Sequence, residues 1–388
     1  MTHTRIAFAQ FLRGLAAAAV VVSHLGYLIW RSPEMIGSLI AYPGLADIIR
    51  AVDFTPVTDF GIAYFWGHFG VAMFFLISGF VIPFSVSTMS RRGFAIARIL
   101  RIWPTYLFGL ALAVGCIALN AASAGRPFPY SAGQILLNAL IVTRWPTLTP
   151  SIDGIIWTLE VELFFYATCL VFMDQIRTCD RRLFLTALGV IPLAYLIPLG
   201  SGIILRAGMP IYAIAFWAST VPVYVCFMFC GTAFYFHYKG RLSLPGLCMT
   251  QLLLLLCFIV SLQIGFLATP DWSAPVAYVA AFVVFGLCFL MRESFSVLPD
   301  WVRWPFVVLA DVSYPLYAVH GVFGYTILVR ALAAGMSSWA AVGVAAAAVF
   351  TVATAVHFLI ELPSQAYGKT LAAKIGPRTA AAGPAIAN

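Results

Sequence analysis

The stretch Phe11-Leu12-Arg13-Gly14-Leu15-Ala16-Ala17-Ala18-Ala19-Val20-Val21-Val22-Ser23-His24 decides the fold, because it places an arginine and a histidine inside the first segment long enough to cross a bilayer. Their separation of eleven residues, at about 100° each, turns through roughly 1100°, so Arg13 and His24 project from nearly the same helix face, roughly 16 Å apart along the axis. An arginine at the centre of a membrane helix costs about 2.5–3.5 kcal/mol on insertion scales, which makes such a residue a functional candidate by default. Two readings stand side by side. Either Arg13 snorkels to the headgroups and His24 caps the far end near the interface, or both face the interior of a bundle and carry chemistry.

The rest of the chain agrees with a membrane setting. Of 388 residues, 62% are hydrophobic and 9% charged, against roughly a quarter charged in soluble domains. The fold class is therefore all-α, a polytopic membrane helix bundle embedded in the lipid bilayer. The net charge of +8 reflects orientation in the membrane and not nucleic-acid binding. The eight cysteines fall mostly in apolar segments without metal-ligand spacing, and read as small buried hydrophobes, so no metal is expected. No cleavage pattern follows the first apolar segment, so it reads as a retained span.

Apolar segments of spanning length lie at about Ala7–Trp30, Trp66–Val86, Trp103–Asn120, Gly154–Met173, Leu183–Leu199, Ile211–Phe236, Leu247–Ala268, Pro275–Met291, Pro305–Val329 and Ser337–Ile360. Gln134–Val142 is apolar but too short. If it does not cross, 15 basic residues, Arg5 and Lys374 among them, fall on one side and six on the other, with Arg13 in the membrane. The positive-inside rule then favours about ten helices with both termini cytoplasmic, and makes Gln134–Val142 re-entrant or interfacial. Residues 1–371 form one membrane domain. The Ala-, Gly- and Pro-containing segment 372–388 reads as a disordered cytoplasmic tail. No inverted pair of broken helices stands out, which disfavours a secondary transporter.

Four further clusters carry polar groups. Ser78-Gly79, inside Phe74–Phe80, reads first as a close helix contact and only second as a nucleophile. Arg98 and Arg101, three apart before Pro104, share a face and suit a phosphate-bearing ligand, since guanidinium forks grip phosphate bidentately. Glu160 and Glu162 project about 200° apart, so at most one faces any single pocket. Asp311-Val312-Ser313-Tyr314-Pro315-Leu316-Tyr317-Ala318-Val319-His320 brings an acid, a proline kink and a mid-membrane histidine into the ninth segment. His320 either bonds a neighbouring helix or joins the chemistry.

Taken in order, these stretches resemble the acyltransferase-3 family of integral membrane O-acyltransferases. The resemblance runs from Arg5 to about Tyr367. It rests on Arg13 with His24, Phe74–Phe80, Arg98/Arg101 before Pro104, Trp157-Thr158-Leu159 with Glu162, Ser313-Tyr314 with His320, and Glu361-Leu362-Pro363. It implies transfer of an acetyl or other acyl group from cytoplasmic acyl-CoA to a hydroxyl of a sugar or glycan, or in some members a macrolide, in a bacterial inner membrane. With 27 residues after Glu361, the chain resembles members that lack an appended esterase-like domain. On this reading the catalytic candidates are His24 as base or transient acyl carrier, Glu162 as its partner or as an acceptor-positioning group, and His320. Arg13, Arg98 and Arg101 bind the CoA end. A transporter or flippase, using the same charges as a substrate or proton path, is the alternative.

Overall fold

The computed structural model describes residues 6–56, 62, 64–141, 146–269 and 271–375, and among them every regular element is helical. The first helix, α1 (Ala7–Ser23), runs into a π-helical turn at His24–Leu28 and a last short helical piece, Ile29–Arg31. α2 (Phe65–Thr88), α3 (Arg91–Ser123), the short α4 (Ala132–Ala139) and α5 (Ile156–Val171) follow. Then come α6 (Val190–Leu199), which continues a 3₁₀ segment at Arg181–Gly189, α7 (Met209–Tyr238), α8 (Leu244–Leu262) and α9 (Ser273–Leu290). The chain closes with α10 (Asp300–Asp311), α11 (Ser313–Val319), α12 (Val322–Ala333), α13 (Ser338–Val356), a second π turn at His357–Glu361, and α14 (Leu362–Lys374).

The bundle is built around α2, which packs against α1, α7 and α9. Apolar burial drives little helix association in lipid, so close backbone approach does the work, and it needs glycine. A Cβ on Gly79 would lie 1.9 Å from the Met228 carbonyl oxygen, and one on Gly231 would lie 2.2 Å from that of Leu76. The Thr232 hydroxyl donates to the Gly79 carbonyl at 3.0 Å across the same seam. Gly79 is thus the close contact expected of Ser78-Gly79, while Ser78 lines a cavity. Gly14 plays the same part between α1 and α10, where a Cβ would lie 2.3 Å from the Phe306 carbonyl oxygen.

Eight helices among the described residues are long and apolar enough to cross a membrane, and the bent pair α11–α12 makes nine. The remaining expected span, α5, has 16 residues and two glutamates. α4 has eight residues, about 12 Å of helix, and so cannot cross. A capping box of Ser131 and Gln134 starts it, and the Tyr106 hydroxyl donates to the Asn138 carbonyl at 3.0 Å, pinning it to α3. Residues 142–145, the end of that expected segment, lie outside the described residues.

Three expectations are corrected. The third span begins at Arg91, not Trp103, because the Ser90 hydroxyl accepts from the Gly93 amide and caps a 33-residue helix. The ninth segment is not continuous: it breaks after Asp311 and again at Gly321, with a 60° bend at the second break. Pro315 is not the kink, since it sits in the first turn of α11, where no helical amide is required. Finally, helix continues to Lys374, through the expected start of the tail at Ala372, and residues 376–388 lie outside the described residues.

Candidate active site

Two polar clusters occupy the bundle interior. The first lines a narrow pocket of about 70 Å³, bounded by α1, α2, α3, α5 and α11. Arg13, Arg101, Glu162, Thr158, Tyr314 and Tyr317 are the polar groups that matter in its wall. Neither Arg13 nor Arg101 makes a hydrogen bond or close ion pair among the described residues, and Arg13 Nε is buried without a partner. The carboxylates that act on both arginines through space are Glu162 and Glu361. Two guanidinium groups facing one interior space, with donors unused, make a site that wants an anionic or carbonyl-rich ligand.

Glu162 accepts a hydrogen bond from the Tyr166 hydroxyl one turn along α5. Glu160 is fully buried and is not in the cavity wall, as the 200° spacing requires. The N-terminus of α5 is held by Asp153, whose Oδ1 accepts from the amides of Ile155 at 3.0 Å and Ile156 at 3.1 Å. That cap fixes the depth at which Thr158 and Glu162 meet the cavity. Arg98 is not in the cavity wall. It donates to Ser85 Oγ at 2.6 Å and lies over the Phe94 and Tyr166 rings, so of the arginine pair only Arg101 lines the cavity.

The second cluster is the imidazole pair. The rings of His24 and His320 meet edge to face, their centroids 4.4 Å apart. His24 Nδ1 lies 2.6 Å from the Tyr325 hydroxyl, and His320 Nδ1 lies 2.7 Å from the Tyr317 carbonyl oxygen. His320 Nε2 is buried with no partner. The pair sits where two irregularities of helix coincide, the π turn that begins at His24 and the break after His320. Such bulges and breaks free backbone groups and re-aim side chains, and they recur at functional sites. Tyr317 joins the clusters: it lines the cavity, its ring is 5.4 Å from that of His320, and its hydroxyl is 2.6 Å from Thr158 Oγ1.

The structure therefore brings together Arg13, Arg101 and Glu162 in one place and His24 with His320 in another. Among the described residues His24 and Glu162 are bonded to other groups, His24 to the Tyr325 hydroxyl and Glu162 to that of Tyr166, which leaves Glu162 the second of its two expected roles, positioning the acceptor. Sequence reading missed Tyr325 and His357, and gave no role to Tyr317, Thr158 and Glu361 in the stretches it singled out, so the His357–Glu361 pair went unread. In that pair Nδ1 and Oε2 are 2.6 Å apart, and Gln365 donates to the other carboxylate oxygen at 2.8 Å. The i, i+4 spacing of His357 and Glu361 was a usable signal.

A membrane helix bundle with a buried basic cavity beside a histidine pair defines a class, and the family comparison gives it a name. The model described as an acyltransferase domain matches residues 6–358, and the chain belongs to the acyltransferase-3 family of integral membrane acyltransferases. Among characterised relatives it is similar to "Acyltransferase MdmB" of Streptomyces mycarofaciens, 26% identical over 197 residues, covering 48% of this chain and 44% of that protein. It is also similar to "Nodulation protein 10" of Rhizobium leguminosarum bv. viciae, 32% identical over 127 residues, covering 29% of this chain and 35% of that protein. The chain thus matches less than half the length of each of these relatives. No solved structure matches it.

Proposed function

We propose that this chain is a membrane O-acyltransferase that moves an acetyl or other acyl group from cytoplasmic acyl-CoA to a hydroxyl of a sugar, glycan or glycosylated metabolite. The observation that carries the reading is the pair of unpaired arginines, Arg13 and Arg101, facing an interior cavity next to two histidines. Glu162 and Glu361 offset the two charges through space but leave the guanidinium donors free, and the carbonyls and phosphates of acyl-CoA match those donors. Arg98, one turn earlier on α3, continues the positive line toward the CoA phosphates. Glu162 holds the arginine side of the cavity and orients the acceptor. His24 and His320 supply the proton handling that acyl transfer requires. In this reading the bundle lies in a bacterial inner membrane with both termini cytoplasmic, so donor and acceptor arrive from opposite sides. The name of the Streptomyces relative, an acyltransferase, supports the reaction class.

Purified full-length protein in lipid nanodiscs should bind acetyl-CoA by calorimetry, and a deletion strain should lose acyl groups from surface glycans or secreted glycosides by mass spectrometry. Undiminished acylation in the deletion strain, with a change only in solute uptake, would move the assignment to a transporter.

A further inference from the structure

The two histidines are not interchangeable, and their hydrogen bonds say which does what. A backbone carbonyl only accepts, so His320 must donate from Nδ1–H to the Tyr317 oxygen at 2.7 Å. Its Nε2 is then a lone pair, buried and without a partner, on a residue with no exposed surface. At His24 the bond runs the other way. The Tyr325 side chain is 1% exposed, and His24 Nδ1 is the hydrogen-bond partner its hydroxyl has among the described residues. If Tyr325 accepted, its own proton would be buried with no acceptor; if it donates to Nδ1, the proton is satisfied and only lone pairs remain unused. His24 therefore carries its proton on Nε2.

We propose that His320 is the general base and His24 the hydrogen-bond donor to the acyl carbonyl, with Tyr317 and Tyr325 as the positioning residues that fix the two opposite tautomers. This rests on the acyl-transfer reading above and reverses the roles that sequence position gives the pair. The acceptor hydroxyl gives its proton to His320 Nε2 while its oxygen bonds the thioester carbon. Charge that develops on the carbonyl oxygen is met by His24 Nε2–H. Breaking the C–S bond releases the CoA thiolate, which takes the proton from His320, leaving the ester, CoA thiol and both imidazoles as they began. The rings meet edge to face with their centroids 4.4 Å apart, so both imidazoles are near enough to act on one carbonyl group.

Nitrogen NMR of full-length protein labelled at histidine, in nanodiscs at a pH where imidazoles are neutral, reads each tautomer directly without substrate. His24→Gln and His320→Gln identify the two signals. The expected result is a protonated Nε2 at His24 and a protonated Nδ1 at His320, with Tyr325→Phe abolishing the preference at His24 alone. The same protonated nitrogen on both, or the reverse assignment, overturns the inference. Thioester cleavage of acetyl-CoA gives the second arm. His320→Gln should lose about 10²–10⁴-fold, the worth of a general base. His24→Gln, whose amide still donates an N–H, should stay within about tenfold of wild type. Equal collapse of both variants refutes the division of roles. Wild-type protein that binds no acetyl-CoA by calorimetry refutes the donor reading instead, and the tautomers then stand or fall on the NMR.

Discussion

His24 Nδ1 lies 2.6 Å from the hydroxyl of Tyr325, a residue 301 positions further along the chain. The bond ties the π turn at the end of α1 to the first turn of α12, directly after the break at Gly321. Tyr325→Phe keeps the buried ring but leaves Nδ1 without a donor, which costs about 1–3 kcal/mol. Thermal unfolding in detergent should show that loss. His24→Leu combined with Tyr325→Phe should be less destabilised than the sum of the singles, because removing both partners leaves nothing unsatisfied. Strict additivity would show that the bond contributes nothing.

Arg101 faces the cavity with its donors unused, so its shape matters and not only its charge. Arg101→Lys should weaken acetyl-CoA binding in nanodiscs about as much as Arg101→Ala, since an ammonium keeps the charge but loses the bidentate fork. Arg98→Lys should be milder, because Arg98 is engaged by Ser85 and two aromatic rings away from the cavity wall. Lysine restoring wild-type affinity at position 101 would reduce that site to simple charge attraction.

The membrane class, the helix order and the arginine and glutamate of the cavity were legible because each depends on local composition. Arg13 and Glu162 are ionisable residues in apolar runs, and the cost of such placements flags them without any knowledge of partners. Partnership itself was not legible. His24 and His320 are almost 300 residues apart, and no period or spacing announces that α1 and α11 meet there. Pro315 drew the kink to itself, while the bend occurs at Gly321, where the backbone adopts φ −68° and ψ −103°. Glu162 was open to reading as the partner of His24 only while Tyr166, four residues on, which a helix places beside it, was left out of account.

The α2–α7 seam makes a paired prediction about glycine. Gly79→Ala would force a methyl against the Met228 carbonyl, so it should sharply reduce folded yield and thermal stability. Gly115→Ala, in α3 with nothing within 4 Å of the added carbon, should be neutral or raise stability by about 0.5–1 kcal/mol through the entropy it removes from the unfolded chain. If the two substitutions behave alike in a detergent melt, close approach at Gly79 does not hold the bundle together.

The last prediction concerns α4 and the side of the membrane on which its flanks lie. Eight helical residues anchored to α3 by Tyr106, and by Trp103, whose indole donates to the Ala139 carbonyl at 3.2 Å, cannot carry the chain across the hydrocarbon. Single cysteines at the exposed positions Ala124 and Thr147 should therefore both react with a membrane-impermeant thiol reagent added to intact cells. Cys248 is the exposed native cysteine among the described residues, so the experiment belongs in a Cys248→Ser background. Labelling of both from outside fits cytoplasmic termini. Labelling of both only after the membrane is opened would invert the orientation but keep α4 on one side. Reaction of one from outside and the other only from inside would mean that the segment through α4 crosses, and the charge balance that sets the topology would have to be redrawn from Arg144 onward.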